Sequence, residues 1–204
     1  MNKQKNLFGA QGASQRKFNS GLTVKNKKKQ SPIGLIIILL VTAAVFFLVG
    51  HFHIKNFHVV EPGTLYTSGQ PRGMDYTRLL YKYHIATIVN VRSASEHRER
   101  NWFNEEITWA KNNGVRYIEL PIRRDNYFPD KKTQEQFLNI MADKENLPVL
   151  LHGSGGRKRV PMLAAVWLIK SGGLSIEETV KVIEKINGRR VTKAESKFIS
   201  DLAN

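Results

Sequence analysis

The alternation of apolar and polar positions divides residues 55–204 into short strands and longer helices. Apolar runs predict strands in "GTLYTSG", "ATIVNVRS", "VRYIELPI" and "LPVLLHG". Helical spacing predicts helices in "DYTRLLYKYH", "SEHRERNWFNEEITWAKNNG", "DKKTQEQFLNIMADK", "RKRVPMLAAVWLIKSG", "SIEETVKVIEKIN" and "TKAESKFISDLA". In the second of these, Ser95 lies near the expected start and Gly114 at the expected end. Strands that alternate with helices predict an α/β fold with a central, mainly parallel sheet flanked by helices.

A different apolar pattern occupies "PIGLIIILLVTAAVFFLVG", residues 32–50, which has no charged side chain. At 1.5 Å per residue this run covers roughly 28 Å, close to the ~30 Å thickness of a bilayer's hydrocarbon core. The pattern predicts one transmembrane helix over residues 32–52. A cleaved signal peptide fits less well, because the run is long and no small-x-small cleavage site closes it. A buried globular helix fits less well because the run is apolar on every face.

Residues 1–30 contain eight Lys and Arg residues and no acid, which predicts a disordered basic tail. Because cations favour the cytoplasmic side of a membrane helix, we expect this tail to be cytoplasmic. The domain over residues 55–204 is then expected on the exported side of the cell (inner) membrane, in a single-pass protein whose partners include the membrane. No aromatic residues interleave with the tail lysines, so nucleic acid is not expected as a partner.

The composition narrows the chemistry further. The chain has 32 Lys and Arg against 17 Asp and Glu, a net charge of +15, which favours phosphorylated partners. It has no cysteine, so disulfides and thiolate chemistry are excluded. His51, His53 and His58 raise the alternative of a metal site, but no acid or cysteine accompanies them among residues 51–58. The sequence therefore indicates neither a metal nor an organic cofactor.

The stretch "VLLHGSGGRKR", residues 149–159, combines a buried strand, a glycine-rich turn and a cationic helix start. Gly153, Gly155 and Gly156 allow the backbone to curl with several N–H groups pointing inward. Arg159 would close this ring with a forked guanidinium suited to bidentate contact with an oxyanion. The pattern predicts an anion-binding loop, although a tight connection with a solvated Arg157, Lys158 and Arg159 remains the alternative.

These residues resemble the signature of the dual-specificity and tyrosine phosphatases, in which His-Cys is followed by five residues and an Arg. The resemblance continues in "NFHVVEPGTLYTSGQP", "IATIVNVRS" and "ITWAKNNGVRYIELPI", and covers about residues 56–190 in the order of the small bacterial-type members. It implies that fold, and it implies a phosphate-binding site made of the following residues: His152, Ser154, Gly155, Gly156, Arg157, Lys158 and Arg159.

Two positions depart from the family pattern. Gly153 stands where the family has its nucleophilic Cys, and Val160 stands where a Ser or Thr usually follows the Arg. Glycine has no side chain with which to attack phosphorus, and Ser154 belongs to a ring whose side chains point away from the pocket. The resemblance also implies an acid loop in "PIRRDNYFPD", with Asp125 as the vestigial general acid and Asp130 as the runner-up.

The sequence therefore favours a membrane-anchored pseudophosphatase, which binds a phosphorylated small molecule, lipid or protein without Cys-dependent hydrolysis. A phosphatase is the first alternative, either inactivated by a substitution at Gly153 or using water activated by Asp125. A membrane-anchored protein-interaction scaffold with an empty pocket is the second. All three readings share the phosphatase-like domain and differ in what its loop still does.

Overall fold

A computed structural model describes the backbone of residues 32–51, 53–97 and 100–203, with side chains from residue 32 to 46 in the first range. The chain divides into two compact units, Met1–Ala43 and Ala44–Asn204. The predicted basic cytoplasmic tail, residues 1–30, lies outside the described residues. The α/β domain predicted over residues 55–204 lies within the second unit.

Helix α1 extends over Pro32–His51. Its described side chains, those of residues 32–46, are all exposed. Within the described ranges, no helix joins enough length to enough apolar character to cross a membrane. The predicted transmembrane helix over residues 32–52 is therefore wrong, as is the predicted single-pass location in the inner membrane with an exported domain.

In the described part of the second unit, five strands form one sheet: β1 (His58–Glu61), β2 (Leu65–Ser68), β3 (Thr87–Asn90), β4 (Arg116–Glu119) and β5 (Val149–His152). Their order across the sheet is β1-β2-β5-β3-β4. Strand β1 pairs with β2 in antiparallel fashion, and the other three pairings are parallel. The mainly parallel sheet is confirmed, and it brings the carboxyl ends of β2 to β5 to one edge.

Among the described residues, six further helices follow or separate these strands: α2 (Asp75–Tyr81), α3 (Asn101–Asn112), α4 (Lys131–Ala142), α5 (Arg159–Lys170), α6 (Ile176–Asn187) and α7 (Lys193–Ala203). Local signals fix several boundaries. Ser175 and Glu178 form a capping box at the start of α6, and Gly188 ends that helix with φ +67°. Helix α3 begins later than predicted, because Ser95 lies in a separate 3₁₀ turn over Ala94–Glu96.

Two apolar clusters cover the two faces of the sheet. Since successive strand residues point to opposite faces, Val89 and Leu151 enter one cluster while Ile88 and Leu150 enter the other. The first cluster contains residues of α4, α5, α6 and α7, and the second contains residues of α2 and α3. Helix α5 is almost wholly buried. The sheet is thus held between two helical layers, and the loop between β5 and α5 lies at its carboxyl edge.

Candidate functional site

The loop of residues 153–158 joins β5 to α5 and is fastened to the end of β2. The Gly153 N–H donates to the Ser68 carbonyl at 3.4 Å, and the Gln70 N–H donates to the Ser154 carbonyl at 3.3 Å. The backbone N–H groups of residues 154–158 donate to no acceptor among the described residues. Consecutive unpaired amides ahead of a helix attract anions, so this loop has the composition of an oxyanion nest.

Gly156 is required by the loop's close approach to β2. Its φ is +69°, and a Cβ there would lie 2.6 Å from the backbone carbon and oxygen of Ser68. The Asn56 side-chain amide donates to the carbonyls of Gly156 and Ile186, each at 3.1 Å. The glycine and these hydrogen bonds fix the far side of the loop, which the sequence pattern alone does not indicate.

Arg159 begins α5 and is 9% exposed. One terminal nitrogen, Nη1, contacts the carbonyls of Val91 (3.3 Å) and Ile122 (3.1 Å) and the Glu96 carboxylate. The other, Nη2, donates to Glu96 Oε1 at 2.9 Å. A guanidinium has five N–H groups, and the Nε–H and the second Nη2–H have no acceptor among the described residues. These two parallel donors form the edge suited to bidentate contact with an oxyanion.

Glu96 fixes Arg159 and was not identified from the sequence. Burial acts to raise the pKa of Glu96, but hydrogen bonds from Arg159 and Ser93 outweigh burial and lower that pKa to about 2. Glu96 is thus ionised whenever the protein is folded near neutral pH. The only sequence signal for it is an acid a few residues after the apolar strand "TIVN", which adjoins β5.

The floor of the loop lies at Gly153, which is buried. A Cβ built there would lie 3.2 Å from Val91 Cγ2 and 3.4 Å from Val160 Cγ2. Both neighbours are side-chain methyl groups, which can shift by a few tenths of an ångström. The floor is therefore apolar, with a valine methyl where the resemblance leads one to expect a hydroxyl group.

Three predicted phosphate-binding residues, Ser154, Arg157 and Lys158, have exposed side chains. Arg157 Nε lies 3.5 Å from Asn56 Oδ1, and Lys158 Nζ lies 6.0 Å from the centre of the Tyr127 ring. The structure thus brings their backbone into the loop and leaves their side chains at its rim.

His152, the residue before the floor, is completely buried, and neither ring nitrogen has a hydrogen-bond partner among the described residues. Its Nε2 lies 3.4 Å from Glu106 Oε1. Burial, together with the charge of Arg92, lowers the pKa of His152 to about 3. Burial raises the pKa of Glu106 to about 7 against the hydrogen bonds that it accepts. Because burial disfavours both charges, this contact is not an ion pair below neutral pH.

The predicted acid loop contributes to a groove next to the 3₁₀ turn that carries Glu96. Ser93, Ser95, Arg123, Arg124 and Asp125 line this groove, which has a volume of about 600 Å³. The Arg123 side chain donates to both carboxylate oxygens of Asp125, and this lowers the pKa of Asp125 to about 2. Asp130 instead caps α4, where it accepts the Thr133 N–H at 2.8 Å. Asp125 therefore lines this groove as a carboxylate, while Asp130 stabilises a helix.

Comparisons with known proteins identify the family of this domain. The family model of the Swiss Army Knife protein DSP-PTPase phosphatase domain (PTP-SAK) matches residues 54–196. The tyrosine-protein phosphatase-like protein OCA2 of Saccharomyces cerevisiae is 21% identical over 103 residues, which are 50% of this chain and 50% of that protein. The chain thus spans about half the length of this curated relative.

Two solved structures share the fold. One is the core catalytic domain of the PP-IP phosphatase SIW14 from S. cerevisiae, in complex with citrate, with a TM-score of 0.59 and 17% identity over 72% of this chain and 85% of that one. The other is TpbA of P. aeruginosa, with a TM-score of 0.53 and 21% identity over 73% of this chain and 83% of that one. At these identities the likeness shows the fold alone.

Proposed function

Because the chain belongs to the PTP-SAK family of DSP-PTPase phosphatase domains, we propose that it is a pseudophosphatase, which binds a phosphorylated ligand without hydrolysing it through a cysteine. One observation carries this proposal. The loop keeps its unpaired amides and the Arg159 fork, while Gly153 supplies no nucleophile and the chain has no cysteine. Loss of an anionic thiolate from the floor removes repulsion against a phosphate dianion, so binding can outlast turnover.

Asp125 and Val160 also bear on whether the site can still hydrolyse a phosphoester. Asp125 keeps the residue type of the family's general acid, and its exposed carboxylate pairs with Arg123. Val160 offers no hydroxyl group to a leaving thiolate. Gly153 and Val160 therefore depart from a working phosphatase in two independent ways.

The surroundings of the loop favour a ligand that is larger and more anionic than inorganic phosphate. Three exposed cations surround the loop: Lys55, Arg157 and Lys158. Lys55 is close to the loop, because a Cβ built on Gly69 would lie 3.0 Å from the Lys55 side chain and 3.3 Å from the Gly155 carbonyl carbon. Arg123 and Arg124 line the adjoining groove. SIW14 is a PP-IP phosphatase, so a ligand with several phosphates is one candidate for this chain. A phosphorylated protein or lipid offers the same chemistry.

Binding is tested with the full chain and with sulfate and tungstate as probes. We expect both anions to raise the melting temperature, and we expect Arg159→Lys to reduce this shift strongly, because lysine lacks the fork but still neutralises Glu96. Lys111→Gln is the matched control, since it removes a cation from the end of α3, at the opposite edge of the sheet. A shift that is unchanged in Arg159→Lys would overturn the proposed site.

Hydrolysis separates the pseudophosphatase from its alternatives. We expect no p-nitrophenyl phosphate turnover by the unaltered chain and measurable turnover by Gly153→Cys. Turnover by the unaltered chain would instead favour a phosphatase that uses water. If neither form hydrolyses the substrate or binds oxyanions, a protein-interaction scaffold becomes the better interpretation.

A further inference from the structure

A continuous line of polar side chains connects the inside of the second unit to Arg159. It begins at Glu106 on α3, which is fully buried. Gln70 Nε2 donates to Glu106 Oε1 at 3.1 Å, and Arg92 Nη1 donates to Gln70 Oε1 at 3.2 Å. Arg92 Nη2 then donates to the Glu96 carbonyl at 3.2 Å, and the Glu96 carboxylate binds Arg159. Each member is held by the one before it.

Gln70 connects Glu106 to Arg92, because it donates a hydrogen bond to the first and accepts one from the second. A carboxamide has one accepting oxygen and a donating NH₂ group. When Glu106 takes the Nε2 hydrogen, Oε1 of Gln70 is turned towards Arg92. The backbone N–H of Gln70 also donates to the Ser154 carbonyl, so the residue touches the anion loop directly. Gln70 is 3% exposed, and water cannot easily replace either contact.

Arg92 transmits this orientation across the carboxyl edge of the sheet. Its guanidinium carbon lies 4.0 Å from the centre of the Trp102 ring, which holds the guanidinium plane in place. From there it reaches the backbone of the 3₁₀ turn that carries Glu96. The position of that turn sets where the Glu96 carboxylate meets Arg159, and hence where the free edge of Arg159 points.

We infer that Glu106 is a positioning residue for the anion site: it orients Gln70 and, through Arg92 and Glu96, the guanidinium fork of Arg159. This inference rests on the proposed function, because it assumes that the loop binds an oxyanion. Glu106 does not touch the ligand in this arrangement. It lies beneath the loop and acts through the side chains between them.

The groups that face Glu106 determine how its charge behaves. The Tyr76 and Tyr117 hydroxyl groups each lie 3.3 Å from its carboxyl oxygens, and the buried His152 ring lies at 3.4 Å. These groups, like Gln70, are neutral at pH 7, so the guanidinium of Arg92 is the only nearby positive charge among the described residues. Burial raises the pKa of Glu106 to about 7. Its ionisation therefore falls within the range in which binding can be measured.

A bound dianion and an ionised Glu106 carry like charges, so each disfavours the other. Anion binding should consequently weaken as the pH rises through neutrality. Sulfate is the suitable probe because its charge is constant in this range, whereas phosphate groups titrate near pH 6. The expected loss is about threefold, the order of a screened interaction across a layer of side chains.

The experiment measures the sulfate dissociation constant of the full chain between pH 6 and pH 8. We expect it to rise about threefold in the unaltered protein and to stay constant in Glu106→Gln, which keeps an accepting oxygen for Gln70 but cannot ionise. Glu105→Gln, at the exposed neighbouring position, is the matched control and should retain the slope. An equal slope in Glu106→Gln and the unaltered protein would overturn the inference.

A second variant tests the connection itself. Gln70→Met keeps the volume of the side chain but breaks both hydrogen bonds, and we expect it to weaken sulfate binding about tenfold while circular dichroism shows a folded chain. An unchanged dissociation constant in a folded Gln70→Met would also overturn the inference. If the unaltered protein binds no sulfate at any pH, both the proposed function and this inference fail. If it binds sulfate with the same pH slope in Glu106→Gln, only the inference fails.

Discussion

The requirement for glycine at position 156 gives the sharpest single test of the loop. Gly156 has φ +69°, and the Cβ of an alanine there would lie 2.6 Å from the Ser68 carbonyl carbon and oxygen and 2.7 Å from the Gly69 nitrogen. All three atoms belong to the backbone of β2 and the residue after it, which cannot move without disturbing the sheet. Gly156→Ala must therefore shift the loop.

Two terms set the size of the effect. The left-handed backbone alone costs an alanine about 1 kcal/mol relative to glycine. Relief of the backbone overlap adds roughly 1 to 3 kcal/mol, as for other overpacked sites. The total of about 2 to 4 kcal/mol corresponds to a fall in melting temperature of roughly 4 to 16 °C for a domain of this size.

Gly155→Ala is the matched control. It lies one residue away, its φ is not in the left-handed region, and no atom lies within 4 Å of its Cβ position. We expect a change below about 0.5 kcal/mol and near-normal sulfate binding. Urea denaturation and sulfate titration of both variants provide the assay. Equal stability and equal sulfate affinity in Gly156→Ala and Gly155→Ala would refute the described loop geometry.

Further predictions concern the floor, a helix cap and the buried acid. Gly153→Ala should cost less than about 1 kcal/mol in urea denaturation, because only methyl groups must move; a larger loss would show a tighter floor. Asp130→Ala should cost about 1 kcal/mol by removing the α4 cap, and Asp130→Asn should restore most of it; equal losses in both would contradict the capping role. The pKa of Glu106 is about 7 in the folded protein, against its ordinary value of 4.5. The protonated carboxyl group therefore contributes its full stabilisation of the folded state below pH 4.5, and this stabilisation is lost as the pH rises through 7. Stability of the unaltered chain should therefore fall relative to Glu106→Gln by about 3 kcal/mol between pH 4.5 and pH 8, and parallel stability curves for the two proteins would contradict the raised pKa.

Much of the fold is predictable because apolar runs and helix caps are local features of the sequence. The runs "ATIVNVRS" and "LPVLLHG" contain consecutive apolar residues, as expected for strands covered on both faces, and both strands lie inside the sheet with every residue buried. Strand β1 is missed because its residues are mostly only partly buried and it pairs at one edge with β2 alone. The start of α3 is missed because Ser93 and Glu96 close a separate capped turn before it.

The transmembrane helix is the largest error, and it arises from a pattern read without its context. An apolar run of suitable length satisfies the rule for a membrane span, yet no helix of the described residues meets that requirement. An apolar sequence indicates that burial of the segment away from water is favourable. It does not by itself indicate what the segment contacts.

The site is predictable only where it is contiguous in the chain. Residues 152–159 are consecutive, from the last residue of β5 to the first of α5, so spacing and resemblance identify them together. Glu96 lies 63 residues from Arg159, and Glu106 lies 36 residues from Gln70, so neither contact leaves a local signal. Such partners depend on how the strands are ordered in the sheet, which apolar periodicity does not specify.

A crystal of the full chain soaked in tungstate tests most directly whether recognition persists without a sulfur nucleophile. We predict a tetrahedral anion bound by the backbone N–H groups of residues 154–158 and by Nε and Nη2 of Arg159, with Glu96 still on the opposite edge of the guanidinium. A soaked crystal with an ordered loop and no anion beside Arg159 would contradict the proposed function.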